Sequence, residues 1–192
     1  MTRIAVRSLA WMLSVVALLA PATSHAAFAD WRGHLAIGYG RLFIADAPSG
    51  GFSVGAGVDH PITSSLRIGP DIGIHLLGTR TVERGSLNAN LDYGLFEATL
   101  MAHWTPRRLG PVRRLSMGVG VMNARAEITS SSSGLAFEDL EVYGLRSGVA
   151  FDAALLPAGP RPVAVGLEAG LRFAFLESET WALGSLRLVF HY

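Results

Sequence analysis

The chain has 192 residues, half of them hydrophobic and only 16% charged, with a formal charge of +1 and no cysteine. That balance excludes a disulfide framework, thiolate metal centres and a cysteine nucleophile, and it gives no electrostatic case for a nucleic-acid partner. High hydrophobicity normally announces spanning helices, yet beyond the first thirty residues no run approaches the roughly 18 apolar residues that such a helix needs.

Residues 1–26 have the parts of a cleaved signal peptide. Arg3 and Arg7 supply the positive start, Leu9 to Ala20 the apolar stretch, and Ser24-His25-Ala26 the small cleavage residues, with cleavage after Ala29 as the alternative. From Trp31 onward apolar residues recur at every second position between turn signals, the pattern of strands with two unlike faces. The first segment sets Leu35, Ile37, Tyr39 and Phe43 against His34, Ala36, Gly38 and Gly40. The second sets Phe52, Val54, Ala56 and Val58 against Ser53, Gly55, Gly57 and Asp59. In the third, Leu66, Ile68, Ile72, Ile74 and Leu76 oppose Arg67, Gly69, Asp71, Gly73 and His75, with Pro70 expected to weaken the ladder at a bulge. Thr79 to Leu91 is the longest polar stretch and is expected to be a loop.

The fourth segment sets Phe96, Ala98, Leu100, Ala102 and Trp104 against Glu97, Thr99, Met101 and His103. Pro106 to Arg114, with Arg107, Arg108, Arg113 and Arg114, has the composition of a basic turn. Leu115, Met117, Val119 and Val121 then face away from Ser116, Gly118, Gly120 and Met122, and a loop around Thr129–Asp139 follows. The sixth segment sets Tyr143, Leu145, Val149, Phe151 and Leu155 against Gly144, Arg146, Gly148, Ala150 and Asp152. The seventh alternates most cleanly, with Val165, Leu167, Leu171, Phe173 and Phe175 opposite Gly166, Glu168, Gly170, Arg172 and Ala174. The eighth places Leu186, Leu188, Phe190 and Tyr192 on one face and Ser185, Arg187, Val189 and His191 on the other.

Eight such segments predict an all-β fold, an eight-stranded antiparallel up-and-down transmembrane β-barrel over residues 27–192, with the apolar faces toward lipid. A soluble barrel of the lipocalin kind would carry its apolar residues inward instead. Aromatics are expected in two girdles: Tyr39, Phe43, Phe52, Phe96, Tyr143, Phe173, Phe175 and Trp181 near one rim, and Trp104, Phe151, Phe190 and Tyr192 near the other.

The terminal run Leu186, Leu188, Phe190, Tyr192 resembles the assembly signal of bacterial outer-membrane barrels, an aromatic end preceded by alternating apolar residues. Tyr192 departs from the Phe that the family favours. The chain as a whole resembles the small eight-stranded members, such as the OmpA membrane domain and OmpX. The resemblance implies a bacterial outer-membrane location, contact with outer-membrane lipid and lipopolysaccharide, insertion by the barrel-assembly machinery, and a monomer. No periplasmic peptidoglycan-binding domain is expected, because the sequence ends with the barrel.

The other face predicts the lumen. Arg67, Asp71, Glu97, Arg146, Asp152, Glu168, Arg172 and Arg187 point inward, and buried charges are tolerated only in pairs. They are therefore expected to form a plug, with Arg146 and Arg187 as the nearest partners for Glu168. Catalytic signals are weak: His34, His75, His103 and His191 are spread over four strands without metal-ligand spacing, and there is no His-x-Ser pair of the sort that barrel lipid deacylases carry. No cofactor or metal is expected. The function expected is a non-enzymatic integral barrel that acts structurally or through its exposed loops. A lipid-modifying barrel enzyme and a narrow channel are the alternatives.

Overall fold

The computed structural model of the chain describes residues 30–43, 50–84, 87–106, 111–130, 145–157, 163–176 and 180–192. The leader expected over residues 1–26, and the positions Arg107, Arg108 and Tyr143, lie outside the described residues. The strands are β1 (Arg32–Leu42), β2 (Gly51–Pro61), β3 (Leu66–Arg84), β4 (Leu87–Trp104), β5 (Val112–Ser130), β6 (Leu145–Leu155), β7 (Ala164–Phe175) and β8 (Thr180–His191). Each pairs antiparallel with its sequence neighbours, and β1 pairs with β8 to close the barrel.

The faces follow the alternation of the sequence. Met117 and Val119 on β5 are about 60% exposed, whereas Ser116 and Met122 on the same strand are buried. Leu100, Leu167, Leu171, Leu186 and Leu188 are likewise exposed. Charged side chains such as Glu97, Glu168, Arg172 and Arg187 are enclosed. A wall apolar outside and ionic inside is the inverse of a soluble barrel and the arrangement of outer-membrane barrels.

Three departures from the sequence expectations concern the strands. Thr79 to Leu91 is a hairpin, not a loop: β3 and β4 stay paired from Thr79↔Asp92 to Arg84↔Leu87. Thr79 Oγ1 bonds the Asp92 carboxylate, and Thr81 Oγ1 donates to Asn90 Oδ1 at 2.9 Å. The fifth strand runs on beside them to Ser130, pairing with Ala89. Since β2 reaches only Leu76 of β3 and β6 only Asn123 of β5, a three-stranded sheet projects past the rest of the wall among the described residues. The bulge sits at Leu77 rather than at Pro70. Leu77 is an extra residue between Leu76↔Gly94 and Gly78↔Tyr93, and Gly78 takes the φ of 89° that the irregularity needs. Opposite Pro70 the β2–β3 pairing lapses between Gly57↔Asp71 and His60↔Ile68 but resumes in the same register. Proline offers the ladder no N–H, and the strand bridges the gap without an insertion.

Trp181 is a correction to the girdle. It shares the parity of Leu183 and Arg187, points into the lumen and is only 1% exposed. Phe151 and Phe173, expected at opposite rims, meet edge-to-face with ring centres 6.4 Å apart, so they form one contact on β6 and β7. Tyr39, Phe52, Phe96 and Trp104 stand on the outer wall, each 41–50% exposed.

The face assignment predicts the response to charge. Leu167→Arg places a guanidinium on the apolar wall and should destabilise the barrel by about 2–4 kcal/mol, while Ile62→Arg in the β2–β3 turn should cost at most about 1 kcal/mol. Urea titrations of the protein in lipid vesicles measure both. Equal tolerance would mean that the two faces are exchanged.

Candidate functional site

Among the described residues, buried polar and charged side chains concentrate in the lumen, which is layered. At the end away from Asp30 and Tyr192, Leu42, Leu77, Leu95, Met122, Ala124, Ala174, Trp181 and Leu183 form a buried apolar cluster, with Tyr93 packed against Trp181. The bulge at Leu77 adds one of these side chains.

Below this lid runs a chain of six alternating charges. Arg172 on β7 donates from Nε to Glu97 on β4 at 2.8 Å and grips Asp152 on β6 with Nη1 at 2.7 Å and Nη2 at 3.2 Å. Arg187 on β8 donates to Asp152 at 3.3 Å and to Glu168 on β7 at 2.7 Å. Arg114 on β5 completes the chain on the other oxygen of Glu168. All six side chains are buried. Three guanidiniums and three carboxylates in alternation leave no charge uncompensated, the condition on which such burial depends. Small inward residues provide the space: a side chain at Gly73 would strike Glu97, and one at Gly170 would strike Asp152.

Glu97 also faces His75 Nε2 at 3.4 Å, and His75 Nδ1 is hydrogen-bonded to Ser53 Oγ at 2.8 Å. Serine, histidine and acid in sequence raise the question of a nucleophile. Ser53 and His75 are both 0% exposed, and Glu97 is shared with Arg172. A hydroxyl so enclosed has no adjacent room for an acyl substrate, and the set instead links β2, β3 and β4.

Of the remaining inward charges, Asp59, Arg67 and Asp71 gather at the end beside Asp30 and Tyr192. Asp71 Oδ2 accepts from His34 Nε2 at 3.1 Å, and its other oxygen lies 3.8 Å from His103 Nε2. His103 Nδ1 is bonded to Ser116 Oγ at 2.8 Å. Arg67 binds Asp59, and its Nη2 reaches the carbonyl oxygens of Asp30 at 2.7 Å and Asp59 at 3.0 Å.

The inward residues expected to form one plug thus divide. Glu97, Asp152, Glu168, Arg172 and Arg187 join in the ion chain, whereas Arg67 and Asp71 belong to the second group. Arg146 sits half-buried on the inward face of β6, in register with Met122. The partners of Glu168 are Arg187 and Arg114; Arg114, expected in a solvated turn, was signalled by its parity with Ser116. Of the four histidines expected to be scattered, His75 stays with Ser53 and Glu97. The other three, His34, His103 and His191, come together, since His34 is in register with His191 and its ring lies 5.6 Å from that of His103 and 5.5 Å from that of His191. That group is visible only once the register is known.

Comparisons agree on the architecture. No family model and no curated protein matches the sequence. Among solved structures, the chain is similar to Neisserial surface protein A, with a TM-score of 0.59 at 14% identity over 85% of this chain and 96% of that one. It is similar also to Ail, the attachment invasion locus protein of Yersinia pestis, with a TM-score of 0.51 at 15% identity over 85% and 99% of the two chains. At these identities the likeness is one of fold: a small eight-stranded outer-membrane barrel.

The ion chain predicts a large penalty for removing one link. Glu168→Ala takes from Arg114 its carboxylate and leaves Arg187 with Asp152 alone, and it should destabilise the barrel by about 3–5 kcal/mol. Ser64→Ala, at an exposed position in the β2–β3 turn, should change stability by less than about 0.5 kcal/mol. Equilibrium unfolding in vesicles of fixed composition compares the two.

Proposed function

We propose that this protein is a non-enzymatic barrel of the bacterial outer membrane, exported through a cleaved leader and acting through the sheet and loops that stand beyond the wall. The observation that carries this reading is the division of labour between the two faces of one wall. Outside, large apolar side chains from every strand of the barrel are exposed, which water would not tolerate over so wide a belt but acyl chains would. Inside, the ion chain and the apolar lid occupy the bore from strand to strand, which argues against a channel. The outer wall is thereby given to lipid and the bore to packing, and the part of the chain that meets a partner is the projection of β3, β4 and β5 with the connections beside it.

In that setting Asp30 and Tyr192 lie at the periplasmic rim and the projecting sheet at the cell surface, the odd-numbered connections facing outward. The protein works as a monomer, its wall solvated by outer-membrane lipid and lipopolysaccharide. Leu186, Leu188, Phe190 and Tyr192 serve as the signal read by the barrel-assembly machinery. Support for this comes from the seam: Gly33 and Tyr192 exchange two backbone hydrogen bonds of 3.0 Å, and the Tyr192 ring covers the bare backbone of Gly33. The strand that carries the signal is thus the one that closes the barrel.

Membrane fractionation combined with a heat-modifiability gel tests the location, since a folded barrel migrates differently before and after boiling. The protein should appear in the outer-membrane fraction with a boiling-dependent shift; recovery in the soluble periplasmic fraction would overturn the reading. Phe190→Asp should leave export intact and abolish the shift. In planar bilayers the purified protein should show no sustained conductance, and a steady open pore would favour the channel.

A further inference from the structure

The histidine-rich group at the end of the lumen beside Asp30 and Tyr192 has an organisation that a plug does not require. His34, Asp59 and His103, from β1, β2 and β4, each bring one ligand atom within 4.8 Å of the other two, and all three are buried. The ring centre of His34 lies 5.6 Å from that of His103 and 5.5 Å from that of His191. Two imidazoles bound to one tetrahedral Zn²⁺ at about 2.0–2.1 Å have ring centres roughly 5 Å apart. The backbone therefore holds the rings of His34 and His103 close to the separation that a shared ion sets.

A second, independent observation concerns the nitrogens. His34 Nδ1, His103 Nε2 and His191 Nε2 are buried and make no hydrogen bond, although His103 Nε2 stands 3.8 Å from Asp71 Oδ1. On His34 and His103 the opposite nitrogen is engaged, by Asp71 and by Ser116 respectively. A carboxylate that accepts from one imidazole N–H fixes the tautomer and leaves a lone pair on the other nitrogen, the arrangement found behind metal-bound histidines. Buried nitrogens without partners are costly unless something occupies them.

We propose that His34, His103 and Asp59 bind a divalent transition-metal ion, with Zn²⁺ the best match to two imidazoles and a carboxylate. Asp71 and Ser116 orient the two rings, and Arg67 holds one oxygen of Asp59 so that the other is presented to the ion. The ring of His191 stands beside the fourth position and is itself part-exposed, which gives the ion a route in from the barrel mouth. Gly57 makes the assembly possible: it lies in register between His34 and Asp71, and a side chain there would collide with both. The ion ties β1, β2 and β4 together next to the seam, a role separate from that of the projecting sheet.

The test uses the full chain without an affinity tag, folded in detergent micelles and titrated with Co²⁺ as a spectroscopic substitute for Zn²⁺. One equivalent should produce the visible absorption of tetrahedral Co²⁺, and Zn²⁺ should displace it. H34A and H103A should abolish the band. H75A, which removes a lumen imidazole of the other group, should retain it. Ser116→Ala should weaken binding by roughly 10–100-fold through loss of ring orientation. Zn²⁺ should also raise the unfolding midpoint of the unaltered chain but not that of H103Q, a variant that keeps a polar side chain in place. No Co²⁺ band from the unaltered chain, or a band that survives both H34A and H103A and so reports an exposed imidazole such as His60, would overturn the site.

Discussion

A β-sheet in lipid cannot leave an edge unpaired, because the hydrocarbon offers nothing to an N–H or a carbonyl. Everything else in this protein depends on how the β1–β8 seam meets that constraint. Pairing runs from His34↔His191 to Leu42↔Leu183, and Gly33 and Tyr192 extend it by two further hydrogen bonds. Glycine at position 33 lets the Tyr192 ring lie against the backbone, so an exposed stretch of peptide gains apolar cover. Phe43 does the same over Gly184 nearer the other end of the same seam. Once the sheet has closed, its inward face becomes a confined volume, and what fills that volume is no longer a matter of solvent.

Eight strands enclose a bore just wide enough for side chains. Long side chains on every inward position would overfill it, and small ones would leave it hollow. The sequence alternates the two. Gly55, Gly57, Gly73 and Gly170 give up their own volume to Arg187, Asp71 with His34, Glu97 and Asp152. Each of these gaps accommodates a side chain from a neighbouring or opposite strand, so register and charge pairing are fixed by the same contacts. A slip of one residue would turn Arg172 and Glu168 toward lipid and Leu171 and Leu167 into the lumen.

Much of this was legible in the sequence because the period-two pattern is strong wherever one face meets lipid and the other is enclosed. The eight strands, their inward residues and the inward charges all follow from parity. Parity also placed Trp181 with Leu183 and Arg187, and Arg114 with Ser116. Residue type pointed elsewhere, to a girdle for the tryptophan and a solvated turn for the arginine, and the geometry of the strand prevailed. The hairpin from Thr79 to Leu91 was hidden for a different reason. Beyond the wall both faces of a strand meet water, so the alternation disappears even though backbone pairing continues. The association of His34, His103 and His191 was hidden because it depends on register across five strands, from β8 through β1, β2 and β3 to β4, which no single segment encodes.

The three layers of the lumen differ in how they hold the wall. The apolar lid around Trp181 and Leu77 packs without direction and would accept small shifts of one strand against another. The ion chain does not: Arg172 reaches Glu97 and Asp152 on two other strands at once, and Arg187 reaches Asp152 and Glu168. An apolar filling could match or exceed such pairs in stability. It would also make both faces of every strand hydrophobic and remove the distinction that tells inside from outside. The charges therefore contribute less as net stabilisation than as specification. They make one closure, with one register and one face inward, the arrangement in which every guanidinium of the chain finds its carboxylate.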